Sequence, residues 1–173
     1  MLTEPDYFGG ELRFIAEAKQ SVTLPVLRKD FIVDPLQIYE SRAAEADAVL
    51  LIAAALSDDT LEECMAACKE LGMSAFVETH DEAEIDRALA LGAEIVGVNQ
   101  RNLHTFDIDH ALCQRLRPKV PSYVTFVAES GISHPSQVMA LKAIGVDAVL
   151  IGTAIMKQQD RIKATSAFVS GGQ

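Results

Sequence analysis

Short apolar runs alternate with amphipathic segments along the whole chain. The runs occupy residues 25–31, 48–52, 75–78, 95–101, 124–131 and 148–153. Each is rich in Val, Ile, Leu, Ala or Phe, and most end in a polar residue or a glycine. Near-continuous apolar runs of this length read as buried parallel strands, because helices cover such strands from outside. The intervening segments carry helix signals. Asp34-Pro35 places an N-cap and a first-turn proline ahead of Leu36. Ser57-Asp58-Asp59 precedes a helical pattern over 61–71, which Gly72 stops. Asp81 opens a helix to Leu91 closed by Gly92, and Ser133-His134-Pro135 opens another ending at Ile144-Gly145. One more helix is predicted from Glu11 to Gln20, after a loop at 3–8. Strands alternating with helices imply right-handed crossovers and a parallel sheet.

The join from helix to strand recurs. Glu45-Ala46-Asp47-Ala48-Val49-Leu50, Gly92-Ala93-Glu94-Ile95-Val96-Gly97 and Gly145-Val146-Asp147-Ala148-Val149-Leu150 each read as helix end, tight turn and strand start. One βα unit used repeatedly is the signature of a βα barrel. The expected fold is therefore α/β, a (β/α)8 TIM barrel that is incomplete here. The chain has 173 residues, whereas eight units need about 250. Only Met1-Leu2 precedes the first loop, so strand 1 and most of strand 2 are read as missing. No linker or composition shift divides 1–165, read as one partial barrel domain. Residues 166–173 read as a polar, glycine-rich tail that frays.

Composition narrows the partners. A formal net charge of -10 argues against nucleic acid and anionic membranes, both of which select basic surfaces. The start Met1-Leu2-Thr3-Glu4-Pro5-Asp6 lacks the basic-then-apolar pattern of a signal peptide, and no apolar stretch reaches the ~20 residues that span a bilayer. A soluble cytoplasmic protein is expected. The three cysteines form no framework: Cys64 and Cys68 share a predicted helix, Cys113 is distant, and no histidine stands at ligand spacing. No metal site is expected.

The carboxyl ends of barrel strands carry the chemistry, and here they present a consistent set. Lys29 lies two residues before Phe31, so strand alternation puts both on one side, where a lysine acts as a general acid or binds an anion. Taken singly, Arg28-Lys29-Asp30 also reads as a solvated loop. Glu78 ends an otherwise apolar strand and is a candidate general base, its pKa raised by a partly dry setting. Its competing reading is a helix-start charge near Asp81 and Glu82. Asn99 and Arg101 share a direction, and a carboxamide beside a guanidinium suits a carboxylate or hydroxyls. Glu129-Ser130-Gly131 and Gly152-Thr153 close the last two runs. Glycines there let backbone N–H groups approach an anion, and the loops after the last strands are the usual phosphate site of such barrels. His80, His104, His110 and His134 are read as surface or capping residues.

At these positions the chain resembles the indole-3-glycerol phosphate synthase family. The stretches that carry the resemblance are Thr3-Glu4-Pro5-Asp6-Tyr7-Phe8, Leu27-Arg28-Lys29-Asp30-Phe31, Glu78 with its strand, Val98-Asn99-Gln100-Arg101-Asn102-Leu103, Glu129-Ser130-Gly131-Ile132 and Leu150-Ile151-Gly152-Thr153-Ala154. The resemblance implies a carbon-carbon lyase of tryptophan biosynthesis. Its substrate would be 1-(2-carboxyphenylamino)-1-deoxyribulose 5-phosphate, and no metal or organic cofactor would be needed. Lys29, Glu78, Asn99, Glu129 and Ser130 would be catalytic, and Phe8, Phe31 and Arg101 would bind substrate. Gly131, Gly152 and Thr153 would hold its phosphate. The family's first-strand glutamate and lysine and its Ser-Pro-Ser turn have no counterpart here. Three readings accordingly stand beside the synthase: an inactive truncated remnant, a non-catalytic binding subunit, and another phosphate-binding barrel such as phosphoribosylanthranilate isomerase. Open barrel edges would favour self-association.

Overall fold

The computed structural model describes residues 1–171. All six predicted strands form, as β1 Leu27–Arg28, β2 Ala48–Ile52, β3 Ser74–Thr79, β4 Ile95–Asn99, β5 Thr125–Glu129 and β6 Ala148–Leu150. They follow one another in the sheet in sequence order. The connecting helices are α3 Leu36–Ala43, α4 Asp58–Glu70, α5 Glu82–Ala90, α6 Leu112–Leu116 and α7 Pro135–Ala143. Ahead of β1 stand α1 Pro5–Phe8 and α2 Arg13–Ser21, and after β6 come α8 Thr153–Met156 and α9 Arg161–Gly171. Contacts group the chain into two compact units. One comprises Met1–Glu78 with Arg87–Ile95, the other Thr79–Asp86 with the chain from Val96 onward.

In the first unit β1, β2 and β3 pair in parallel, with Leu27 opposite Ala48 and Ile52 opposite Glu78. Val49, Leu50 and Leu51 are fully buried, as are Ile15, Ile38 and Leu61 from the flanking helices. This is the doubly covered strand that the apolar run implied. Leu2 bridges Lys29 in parallel, so the first residues add a stub of strand beside β1. In the second unit β5 and β6 pair in parallel, Glu129 opposite Leu150, over a core of Val96, Val98, Phe126 and Ala128. The Arg117 guanidinium lies over the Phe126 ring at 5.4 Å. β6 is less covered than its neighbours, with Ala148 exposed and Val149 and Leu150 half-buried.

The repeated helix-to-strand join is a shared device. Glu45, Gly92 and Gly145 all adopt left-handed conformations, at φ 71°, 84° and 85°. The next residue then folds back onto the helix: Ala46 N–H donates to Ser41 O, Ala93 to Ala88 and Val146 to Leu141. In the first and third joins the acid that follows ties down an adjacent segment. Asp47 accepts the Val26 N–H at 2.6 Å, and Asp147 accepts the Phe126 N–H at 2.8 Å. Only Glu45 does this with a side chain, at a cost of about 1 kcal/mol or more. Glu45 is exposed, so Glu45→Gly is expected to stabilise the chain by about 0.5–1 kcal/mol, the strain relief exceeding the added chain entropy. Urea denaturation checks it, and an unchanged or lowered midpoint refutes it.

Four expectations are corrected. Residues 3–8 are not a plain loop: the Glu4 carboxylate accepts the N–H groups of Asp6, Tyr7 and Phe8 and caps α1. At α3 the N-cap position is Pro35, yet Asp34 still accepts the Leu36 N–H at 2.8 Å. His134 caps α7 as expected, but His80 is neither a cap nor a surface residue. It is half-buried, with Nδ1 3.1 Å from Glu84 Oε2. The segment read as a fraying tail is helical through Gly171, because α9 packs against α7. The last two residues of that segment, 172–173, lie outside the described residues.

Candidate active site

In the first unit the backbone holds Lys29 on both sides. Its N–H donates to the Met1 carbonyl at 2.8 Å, and its carbonyl accepts from Thr3 at 3.2 Å. Its Nζ stands 3.7 Å from Glu78 Oε2. The Glu78 side chain is 2 % exposed and that of Lys29 33 %, so a buried carboxylate meets an ammonium that still reaches solvent. Two residues far apart in the sequence, at the ends of β1 and β3, are thereby brought together.

The flanks of Lys29 are not solvated loop. Arg28 is buried, with Nη1 donating to the Gln37 carbonyl and Ser41 Oγ, each at 3.0 Å. Its Nη2 donates to Asp30 Oδ2 at 2.9 Å, and the Thr3 hydroxyl donates to the same oxygen at 2.6 Å. Burial pushes the Asp30 carboxyl up, but the Thr3 and Arg28 hydrogen bonds and the Phe31 N–H outweigh it, so its pKa falls below the ordinary value. A depressed folded pKa makes the contribution of Asp30 fully present above the unfolded pKa of ~3.9. It is lost as pH falls through the folded value. The stability gap between the wild type and Asp30→Asn should therefore shrink on going from neutral pH to below ~4. Urea melts at both pH values check this, and an equal gap at both removes the ionised carboxylate from the account.

Phe31 is half exposed, and its ring partner is Tyr7, edge-on at 6.3 Å between centroids. The aromatic pair at this position is thus Tyr7 with Phe31, and Phe8 stands beside it in α1, also half exposed. Sequence reasoning passed over Tyr7, although the short spacing between Pro5 and Gly9 was a signal for one helical turn. It also passed over buried Arg28 and Glu4. Nothing in a local pattern marks a charge as buried.

In the second unit Asn99 ends β4, with Oδ1 accepting the Arg101 N–H at 3.1 Å. Arg101 bridges Ile108 and donates from Nη1 to the Phe106 carbonyl at 3.0 Å, so its guanidinium is braced by its own loop. Glu129 ends β5 and is 2 % exposed. Ser130 and Gly131 follow at φ 64° and 71°. A non-glycine residue pays about 1–2 kcal/mol to stand there, and such strain concentrates at functional turns. Gly131 cannot gain a side chain: a Cβ would lie 2.5 Å from Ile108 Cγ2. Gly152 differs. It adopts φ -116°, and a Cβ there would meet nothing within 4 Å. The fold itself therefore has no need of a glycine at 152. Thr153 follows as the first residue of α8, and both are exposed.

The remaining chemistry is quiet. Cys64, Cys68 and Cys113 are buried, and burial pushes their thiols up to about 11, 12 and 12. Among the described residues no group of three or more His, Cys, Asp or Glu is placed to hold a metal. Nor is any described helix long and apolar enough to cross a membrane.

Strands in sequence order with charged and glycine-bearing carboxyl ends define a βα-barrel protein. Among solved structures, 3-hexulose-6-phosphate synthase from Salmonella typhimurium superposes with a TM-score of 0.81, covering 99 % of this chain and 85 % of that one at 21 % identity. That likeness bears on the fold. The chain belongs to the indole-3-glycerol phosphate synthase family, whose sequence model matches residues 1–168. Indole-3-glycerol phosphate synthase of Endomicrobium trichonymphae is 54 % identical over 157 residues, covering 91 % of this chain and 61 % of that protein. The Ruminiclostridium cellulolyticum protein of the same name is 49 % identical over 160 residues, covering 92 % and 62 %. The chain thus spans about three fifths of the length of these curated relatives.

Proposed function

We propose that this chain carries indole-3-glycerol phosphate synthase chemistry, as a cytoplasmic lyase of tryptophan biosynthesis. It would close the indole ring of 1-(2-carboxyphenylamino)-1-deoxyribulose 5-phosphate with loss of carbon dioxide and water. The observation that carries the reading is the Lys29–Glu78 pair, an ammonium 3.7 Å from a carboxylate that is 2 % exposed. As the aryl carbon attacks the ketone, Lys29 donates a proton to the developing alkoxide. Carbon dioxide leaves and its bonding electrons return to the ring. The resulting hydroxyl departs as water once one proton is delivered to it and another is taken from the ring system. Lys29 and Glu78 are an acid and a base suited to those transfers.

By the same reading Asn99, Glu129 and Ser130 take catalytic roles and Arg101 recognises a carboxylate or hydroxyls. Phe8 and Phe31, now with Tyr7, hold the aromatic ring. Gly131, Gly152 and Thr153 would bind the phosphate, and the open space at Gly152 supports this, since no fold requirement explains that glycine. No cofactor is called on. The half-buried apolar β6 supports self-association through that edge.

The test is formation of indole-3-glycerol phosphate by the purified chain, and by the chain carried in a form as long as its relatives. Turnover in either supports the reading. Absence of turnover in both leaves the remnant or binding subunit. Inorganic phosphate should perturb the amide resonances of Gly131, Gly152 and Thr153. An anion that perturbs only the surroundings of Lys142 or Lys157 refutes the phosphate assignment.

A further inference from the structure

Gln100 stands between Asn99 and Arg101, and strand alternation turns it away from both. Its side chain is nevertheless 2 % exposed, and a buried carboxamide requires partners. Nε2 donates to the Ser130 carbonyl at 2.9 Å, while the Gln100 N–H donates to the Glu129 carbonyl at 3.0 Å. One residue at the exit of β4 thus holds two successive carbonyls at the exit of β5. The third carbonyl of that turn, Gly131, accepts from Gln137 Nε2 at 3.2 Å.

The loop after Gln100 reinforces the hold. Asp109 N–H donates to the Gln100 carbonyl at 2.9 Å, and Arg101 bridges Ile108. Ile108 and His110 then cover Gly131 closely enough to exclude a side chain. Ser130 and Gly131 are consecutive left-handed residues, a backbone that persists only where its surroundings over-determine it. The Gln100 carboxamide is a buried side-chain donor on the Ser130 carbonyl.

We propose that Gln100 is a positioning residue: through the Ser130 carbonyl it holds the Ser130-Gly131 turn left-handed and so sets the directions of the Glu129 and Ser130 side chains. Its consequence for turnover rests on the synthase reading; its consequence for the turn does not.

Gln100→Met keeps the length and volume of the side chain and removes the donor. The amide resonances of Ser130 and Gly131 are expected to shift and hydrogen exchange across 130–132 to quicken. In a form that turns over, kcat should fall about tenfold with KM little changed, the equivalent of one hydrogen bond. Unmoved Ser130 and Gly131 resonances overturn the proposal whatever the kinetics. Shifted resonances with unchanged kcat also overturn it, since the turn then positions nothing that matters to the reaction. A wild-type protein without turnover refutes only the synthase reading, and the resonances then decide the role of Gln100. If Gln100→Met does not fold, adding Ser130→Gly decides, because glycine accepts the left-handed conformation without help. A folded double variant supports the proposal, and an unfolded one makes Gln100 a core residue and refutes it.

Discussion

In a form as long as its relatives that turns over, the synthase reading expects Lys29→Met and Glu78→Gln each to lower kcat by about 100- to 10,000-fold while leaving KM nearly unchanged. General acids and bases act chiefly in the transition state, and proton transfer by a positioned side chain contributes on that scale. Both substitutions preserve approximate size, so substrate contacts survive while the proton chemistry does not. The two should be far from additive. Lys29 Nζ and Glu78 Oε2 lie 3.7 Å apart, and groups that work as a unit lose most of their effect with the first removal. Steady-state rates on the single and double variants measure this. Either variant retaining near-wild-type kcat would withdraw that residue from the role assigned to it.

Arg28→Met is expected to destabilise the protein by about 3–5 kcal/mol, because removing one member of a buried ion pair leaves the other uncompensated. Side-chain exposure is 6 % for Arg28 and 12 % for Asp30. Asp30 would keep the Thr3 hydroxyl, but the Gln37 carbonyl and Ser41 would lose a shared donor. Combining Arg28→Met with Asp30→Asn should recover part of the loss, since the uncompensated charge is then gone. Urea denaturation of the three variants checks the sign and the order. A single variant within about 1 kcal/mol of wild type would show that Arg28 is placed like an exposed charge, whose pairs have that worth. Arg28 and Asp30 flank Lys29, so the same variants also report how firmly its backbone is held.

The pattern of apolar runs determined the elements: six parallel strands, their order and the helices between them. Alternation of short Val/Ile/Leu runs with capped amphipathic segments leaves few other ways to bury the chain. The repeated turns were legible for the same reason, since a left-handed residue followed by a small apolar one and an acid is a local code. The candidate site residues were legible by position. Lys29, Glu78, Asn99 and Glu129 stand where strands end, and strand ends can be counted. Three features were not legible. Arg28 and Gln100 have ordinary polar surroundings in the sequence, and only the folded chain shows each almost wholly buried with its donors on backbone carbonyls. Tyr7, on the single helical turn that Glu4 caps, meets Phe31 from a segment distant in sequence. Burial and partner choice are properties of segments distant in sequence, so tertiary structure decided them: a local pattern sets which face a residue takes, and the packing of other elements sets what it meets there.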